Sequence, residues 1–123
     1  MTFTWRLVTD SGAQVAAKVE VAESPWRRFV GLMGRRELPD GFGLCIRPCN
    51  AIHMFFMRIP LDVAFVDGDG RVLRAYHGLR PWRISRIVFG AKAVIELPSG
   101  VLANAGVGAG SRLQLLRNQD GAR

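Results

Sequence analysis

The stretch LDVAFVDGDGRVLRAY, Leu61 to Tyr76, decides how this chain folds. Two β-rich segments flank a tight Asp-Gly turn, which is the pattern of an antiparallel hairpin. Val63, Ala64, Phe65 and Val66 are all apolar, with none of the alternation of a half-exposed strand. The first strand of the hairpin is therefore predicted to be buried on both faces and to lie centrally in its sheet.

The segments on either side extend this β pattern. Upstream, Pro60 must interrupt the long apolar passage after Asn50, because proline cannot donate to a strand ladder and breaks a helix interior. Phe42 to Ile46 is a brief apolar strand. Before it, Ser24 suits a helix cap, Pro25 the first helical position, and Trp26, Phe29, Val30 and Met33 recur at helical spacing, with Gly34 placed to end the run. This helix is predicted to pack an apolar stripe inward, with Arg27 and Arg28 outward. Phe3 to Val8 and Val15 to Val21 read as an opening hairpin across TDSG, the second strand alternating strictly.

Downstream, His77 to Gly90 has no clean period, and GLRPWR (Gly78 to Arg83) carries loop punctuation. Ala93, Ile95 and Leu97 alternate with polar neighbours as a strand, Val101 to Ala105 fits one helical turn, and Arg112 to Leu116 fits a final strand. GVGAG, Gly106 to Gly110, lacks the flanking strand, helix and lysine-serine ending of a phosphate loop, so it reads as a turn. The expectation is a mainly β protein, a small β-sandwich or partly open barrel with one short α-helix in the N-terminal third, α+β by some counts. Residues 1–117 would form a single domain and residues 118–123 a frayed tail.

Composition agrees. At 123 residues, 49% hydrophobic and 22% charged, the chain is of single-domain size and has the composition of a folded protein, with room for one core. No apolar run approaches membrane-spanning length, and MTFTWRLVTDSG lacks the basic start and apolar stretch of a secretory signal, so a soluble, cytoplasmic protein is expected. Cys45 and Cys49 are too close for a comfortable disulfide and are expected as reduced, partly buried thiols. The net charge is +7, and 15 of the 17 basic residues are arginine. Six basic residues and no acid lie between Arg71 and Ile95, a block able to attract an anionic ligand or surface.

The polar residues of PCNAIHMFFMRIPLD, Pro48 to Asp62, are the candidates for chemistry. Cys49, His53 and Met57 offer soft ligands that suit copper, but a second histidine is missing upstream, so no metal and no cofactor is expected. Cys49 as nucleophile would need His53 or His77 as base and Asp62 or Glu96 to orient it. Asp62, beside a buried strand, needs a partner, and Arg58 or Arg35 would supply one. Aromatic residues among the arginines lack a ribonucleoprotein-type signature, which disfavours nucleic acid.

In order, GLMGRRELP (Gly31 to Pro39), FFMRIPLDVAFVDGDGRVL (Phe55 to Leu73) and IELPSG (Ile95 to Gly100), with Gly110 opening the last strand, resemble the family known as domain of unknown function 192. The resemblance runs from about Glu23 to Leu116. It implies a small, mainly β fold with one helix near the front, and no established activity. Many relatives carry an N-terminal signal or lipid anchor, and their usual Trp-Met-Lys is Phe56, Met57 and Arg58 here. What carries over is the motif: Arg35, Met57, Arg58, Pro60, Asp62, Asp67 and Glu96. The expected binding residues are Arg35, His53, Met57, Arg58, Asp62 and Glu96, with Arg80 and Arg83 from the basic block. Non-enzymatic binding of a small ligand or protein partner, an anionic one included, is the first expectation. A hydrolase-like or metal-assisted enzyme using His53, Asp62 and Glu96 is one alternative, and binding of an anionic surface or nucleic acid through Arg71 to Lys92 is the other.

Overall fold

A computed structural model describes residues 4–118. Seven strands form one sheet: β1 (Trp5–Thr9), β2 (Gln14–Ala22), β3 (Phe42–Ile46), β4 (Leu61–Val66), β5 (Val72–Leu79), β6 (Ala93–Pro98) and β7 (Leu113–Arg117). Two short helices, α1 (Pro25–Val30) and α2 (Val101–Asn104), complete the described elements. The strand order is β5-β4-β6-β3-β2-β1-β7. Neighbours pair antiparallel except β2 and β3, which run parallel. A parallel pair needs a crossover connection, and residues 23–41, with α1, provide it.

The sheet curls until its two edge strands meet at one corner, making a partly open barrel. Arg71 and Arg112 form a bridge there. Leu113 N–H donates to Gly70 O at 2.8 Å and Val72 N–H to Ser111 O at 2.7 Å. Gly70 makes the closure possible: its φ is +84°, and a side chain would collide with the carbonyl of Leu113. The preceding turn is set by Asp67, whose Oδ1 accepts from Asp69 N at 2.9 Å and Arg71 N at 3.0 Å.

β4 is buried along its whole length, as its apolar run predicts. It lies second from one edge, however, and the middle place belongs to β3. Burial on both faces has a different cause from centrality: the sheet is covered on each side. The chain accordingly has two core clusters rather than one. Leu7, Val19, Ala64, Ile95, Leu97 and Leu102 belong to the concave, inner cluster. Leu32, Leu44, Met54, Leu61, Phe65 and Val94 belong to the outer one. Strand alternation sends Ala64 and Ile95 inward and Phe65 and Val94 outward.

The inner core is closed by α2. The outer core is roofed by irregular segments, residues 47–60 and 80–91, zipped together by backbone hydrogen bonds. Met54 N donates to Arg83 O and Trp82 N to Met54 O, each at 2.7 Å; Ser85 N donates to Ile52 O at 2.9 Å and Val88 N to Asn50 O at 2.8 Å. β1 begins at Trp5, and Phe3, its expected start, lies outside the described residues. Asn118 is tied to Thr4 and Ala17, while 119–123 of the expected tail lie outside the described residues.

α1 begins as its sequence predicts, with Ser24 Oγ accepting from Arg27 N at 3.1 Å and Pro25 in the first turn. It ends sooner, at Val30, and its apolar stripe is not buried: Trp26 is 71% and Phe29 56% exposed. Leu32, just beyond the helix, makes the anchoring contact instead. Arg28 turns inward, its guanidinium donating to Pro48 O at 3.0 Å.

Candidate functional site

Asp62 occupies the inner face and is fully buried. Its Oδ1 accepts from Gly78 N at 2.9 Å, and its Oδ2 from Gly100 N at 3.0 Å and Leu102 N at 2.9 Å. The arginine partner expected for it is not used, since three backbone N–H groups converge on the carboxylate and satisfy it. Asp62 thus ties the end of β5 and the start of α2 to β4.

Cys49, His53, Met57 and Glu96 are brought together on the outer face. With Arg28 and Gly31 they line a hollow of about 50 Å³ under α1. Glu96 is 4% exposed, and burial pushes its carboxyl up to about 7. Its Oε1 and the Nε of Arg28 are buried without hydrogen-bond partners among the described residues. The Cys49 thiol donates to Ala51 O at 3.0 Å; burial raises its pKa, and the nearby Glu96 adds to the rise. Cys45, on the inner side, is pushed up by burial to about 11. Neither is the low-pKa, thiolate-forming cysteine that a nucleophile needs.

His53 is held at both nitrogens. Phe55 N–H donates to Nδ1 at 3.1 Å, which leaves the ring proton on Nε2, 3.2 Å from Phe29 O. The ring pins α1 to the loop and has no free lone pair for a metal or a substrate proton. The remaining expected residues are dispersed. Arg58 is exposed, Arg35 stacks over the Phe42 ring at 5.2 Å, and Arg80 and Arg83 line a shallow groove with Tyr76, His77 and Ile84.

The most conspicuous feature of the outer face was not expected. Trp26, Phe29, His53, Phe55, Trp82 and Phe56 form a continuous run of rings, with successive centroids 4.9–6.2 Å apart. Apart from His53, all are exposed by 42% or more. Ile84 extends the run through its β-bridge to His53. Two of the rings in contact, Phe56 and Trp82, sit at φ +63° and +68°, a left-handed conformation that bulky residues avoid. One signal for this lay in the sequence: from Arg80 to Phe89, basic and large apolar residues interleave without the period of a helix or strand.

The fold and motif residues now stand together. A model of the family described as Uncharacterized ACR, domain of unknown function 192, matches residues 6–115. The chain belongs to this family. A UPF0127 protein of Pyrococcus furiosus is 30% identical over 113 residues, 88% of this chain and 95% of that one. A UPF0127 protein of Thermococcus sibiricus is 35% identical over 97 residues, 74% of this chain, which spans only 62% of that relative's length. Among solved structures, a protein of unknown function from Novosphingobium aromaticivorans superposes with a TM-score of 0.78 at 26% identity, over 90% of this chain and 83% of that one. A candidate transcription regulator from Sinorhizobium meliloti gives 0.77 at 30% identity, over 92% of each chain. In this chain Asp67 sets a turn, Asp62 pins β5 and α2 to β4, and Met57 lies in the outer core.

Proposed function

We propose that this domain is a non-enzymatic binding module and that its outer face, formed by α1 and the ribbon of residues 50–57 and 80–89, receives a partner. The carrying observation is the continuous run of exposed rings on a backbone-paired scaffold. Exposed apolar surface of this extent has a desolvation cost that a monomer avoids unless contact covers it. The side chains considered for catalysis support the same reading. Asp62 and His53 are engaged by the backbone, and the thiols of Cys45 and Cys49 are raised rather than activated. The hollow beside Glu96 has room for little more than water, far below the roughly 300 Å³ at which small-molecule pockets begin.

The description of the Sinorhizobium relative, together with the Arg71 to Lys92 block, favours nucleic acid as a second reading. Groove recognition by a helix has little support, since α1 spans only six residues and α2 four.

Photo-crosslinking in the source cells tests the assignment. A benzophenone side chain placed at position 56 or 89 should give a discrete adduct to protein, lipid or nucleic acid. The same group at exposed position 14, at the start of β2, should give none. Equal labelling from all three positions, or no adduct from 56 and 89, would refute the reading.

A further inference from the structure

We propose that the partner is an anionic phospholipid bilayer, on which the ribbon lies as a peripheral anchor; this rests on the binding assignment above. The segment RPWRISRIVF, Arg80 to Phe89, carries the inference. Ser85 and Val88 point into the protein, while Ile84, Ile87 and Phe89 stay exposed, at 67, 59 and 87%. Aliphatic side chains do not stack on bases, and an apolar medium is what covers all three together with Trp82 and Phe56.

Charge selects among apolar media. Arg80, Arg83 and Arg86 interleave with the apolar residues, all exposed, and no acid occurs between Arg71 and Ile95. Here cations alternate almost one for one with apolar groups and no acid accompanies them, a one-sided charge that calls for an anionic counterpart. A bilayer surface satisfies that alternation. Its phosphate layer lies directly above the acyl boundary, so arginine stems can span the apolar depth and place their guanidinium groups among the phosphates. Each basic side chain near an anionic leaflet adds to the attraction.

The scaffold is suited to this contact. Backbone pairing with residues 50–54 fixes the ribbon before any contact, as does the bond from Arg86 N to Tyr76 OH at 3.0 Å. The exposed residues therefore need no ordering on docking. The left-handed backbone at Phe56 and Trp82 holds two rings 4.9 Å apart at the surface. Among the described residues no helix is long and apolar enough to cross a membrane, so the contact inferred is interfacial.

The test is co-sedimentation of the full chain with vesicles of phosphatidylcholine alone and of phosphatidylcholine and phosphatidylglycerol in equal parts, followed also by tryptophan emission. Binding to the mixed vesicles is expected, with a blue shift, at least roughly tenfold tighter than to the neutral ones and weakening as salt is added. The double variant Ile87→Ser/Phe89→Ser should lose roughly tenfold or more on mixed vesicles. Arg80→Glu/Arg83→Glu should lose at least as much and abolish the preference for anionic lipid. All four positions are exposed, and unchanged thermal melting checks that each variant is folded. Equal binding to neutral vesicles, or undiminished binding by the arginine variant, overturns the proposal. So does retention by a single-stranded oligonucleotide with no vesicle binding. If neither vesicle binds but positions 56 and 89 still crosslink to protein in cells, the bilayer is refuted and the binding module stands. If crosslinks are absent as well, both fall.

Discussion

The two faces of the sheet bury similar side chains but finish the job differently. On the inner face α2 closes the core, and the buried acid Asp62 receives three backbone N–H groups. On the outer face irregular segments form the roof and a row of aromatic rings is left in solvent. The buried acid there, Glu96, has an oxygen with no partner. Natural sequences satisfy packing, hydrogen bonding and backbone preference together, except where function takes precedence. By that standard the inner face is consistent throughout, and the outer face departs from it in its exposed rings and its unpaired Glu96 oxygen.

Removing Asp62 should produce the largest effect of the substitutions considered. Asp62→Ala strands one buried and two part-buried N–H groups at once, and the loss of stability should be about 3 kcal/mol or more. That is a large part of what a domain this size possesses. Urea denaturation measures it. A cost under about 1 kcal/mol would mean that water reaches the site, and the inner face would not be the closed one.

Glu96 gives the outer face a pH dependence. Its carboxyl is raised from 4.5 to about 7 by burial, so the folded state keeps a proton that the unfolded chain has already released in that window. Stability from this group is complete below pH 4.5, falls as pH rises, and is gone above about 7. In the limit the fall is about 3 kcal/mol. Glu96→Gln should therefore be more stable than the parent at about pH 8, by up to that amount, and lose its advantage near pH 4. A parallel pH slope in both proteins would show that Glu96 is solvated in the native state.

These two acids also show how far the sequence could be read. The hairpin at Leu61–Tyr76, the alternation in β2 and the cap at Ser24 were legible because each is a local pattern with its own physical cause. That Asp62 needed a partner was legible too. Its partner was not, because Gly78, Gly100 and Leu102 meet it only after β5 and α2 are in place. Cys49, His53 and Glu96 were singled out from the sequence and do come together, yet His53 is occupied by backbone groups of Phe29 and Phe55 that no spacing reveals. The exposed rings were hidden for a different reason. Trp26 and Phe29 have helical spacing, which signifies burial in most helices, and only the tertiary structure shows that α1 turns them outward.

The smallest expected effect separates the backbone of the outer face from its rings. At an exposed position, alanine ordinarily exceeds glycine in stability, because glycine loses more chain entropy on folding. Position 56 should invert that order. With φ at +63°, Phe56→Ala keeps the left-handed strain and Phe56→Gly removes it. Both lose the same contact with Trp82, so the glycine variant should be the more stable by about 1 kcal/mol. On the proposed bilayer contact, vesicle binding should fall equally in the two, since both remove the ring. Alanine proving the more stable would mean that the loop relaxes in solution, and strain would cease to distinguish the outer face. Glycine regaining stability without regaining binding would show the opposite: the strained backbone is held in place to present a ring that the fold itself does not need.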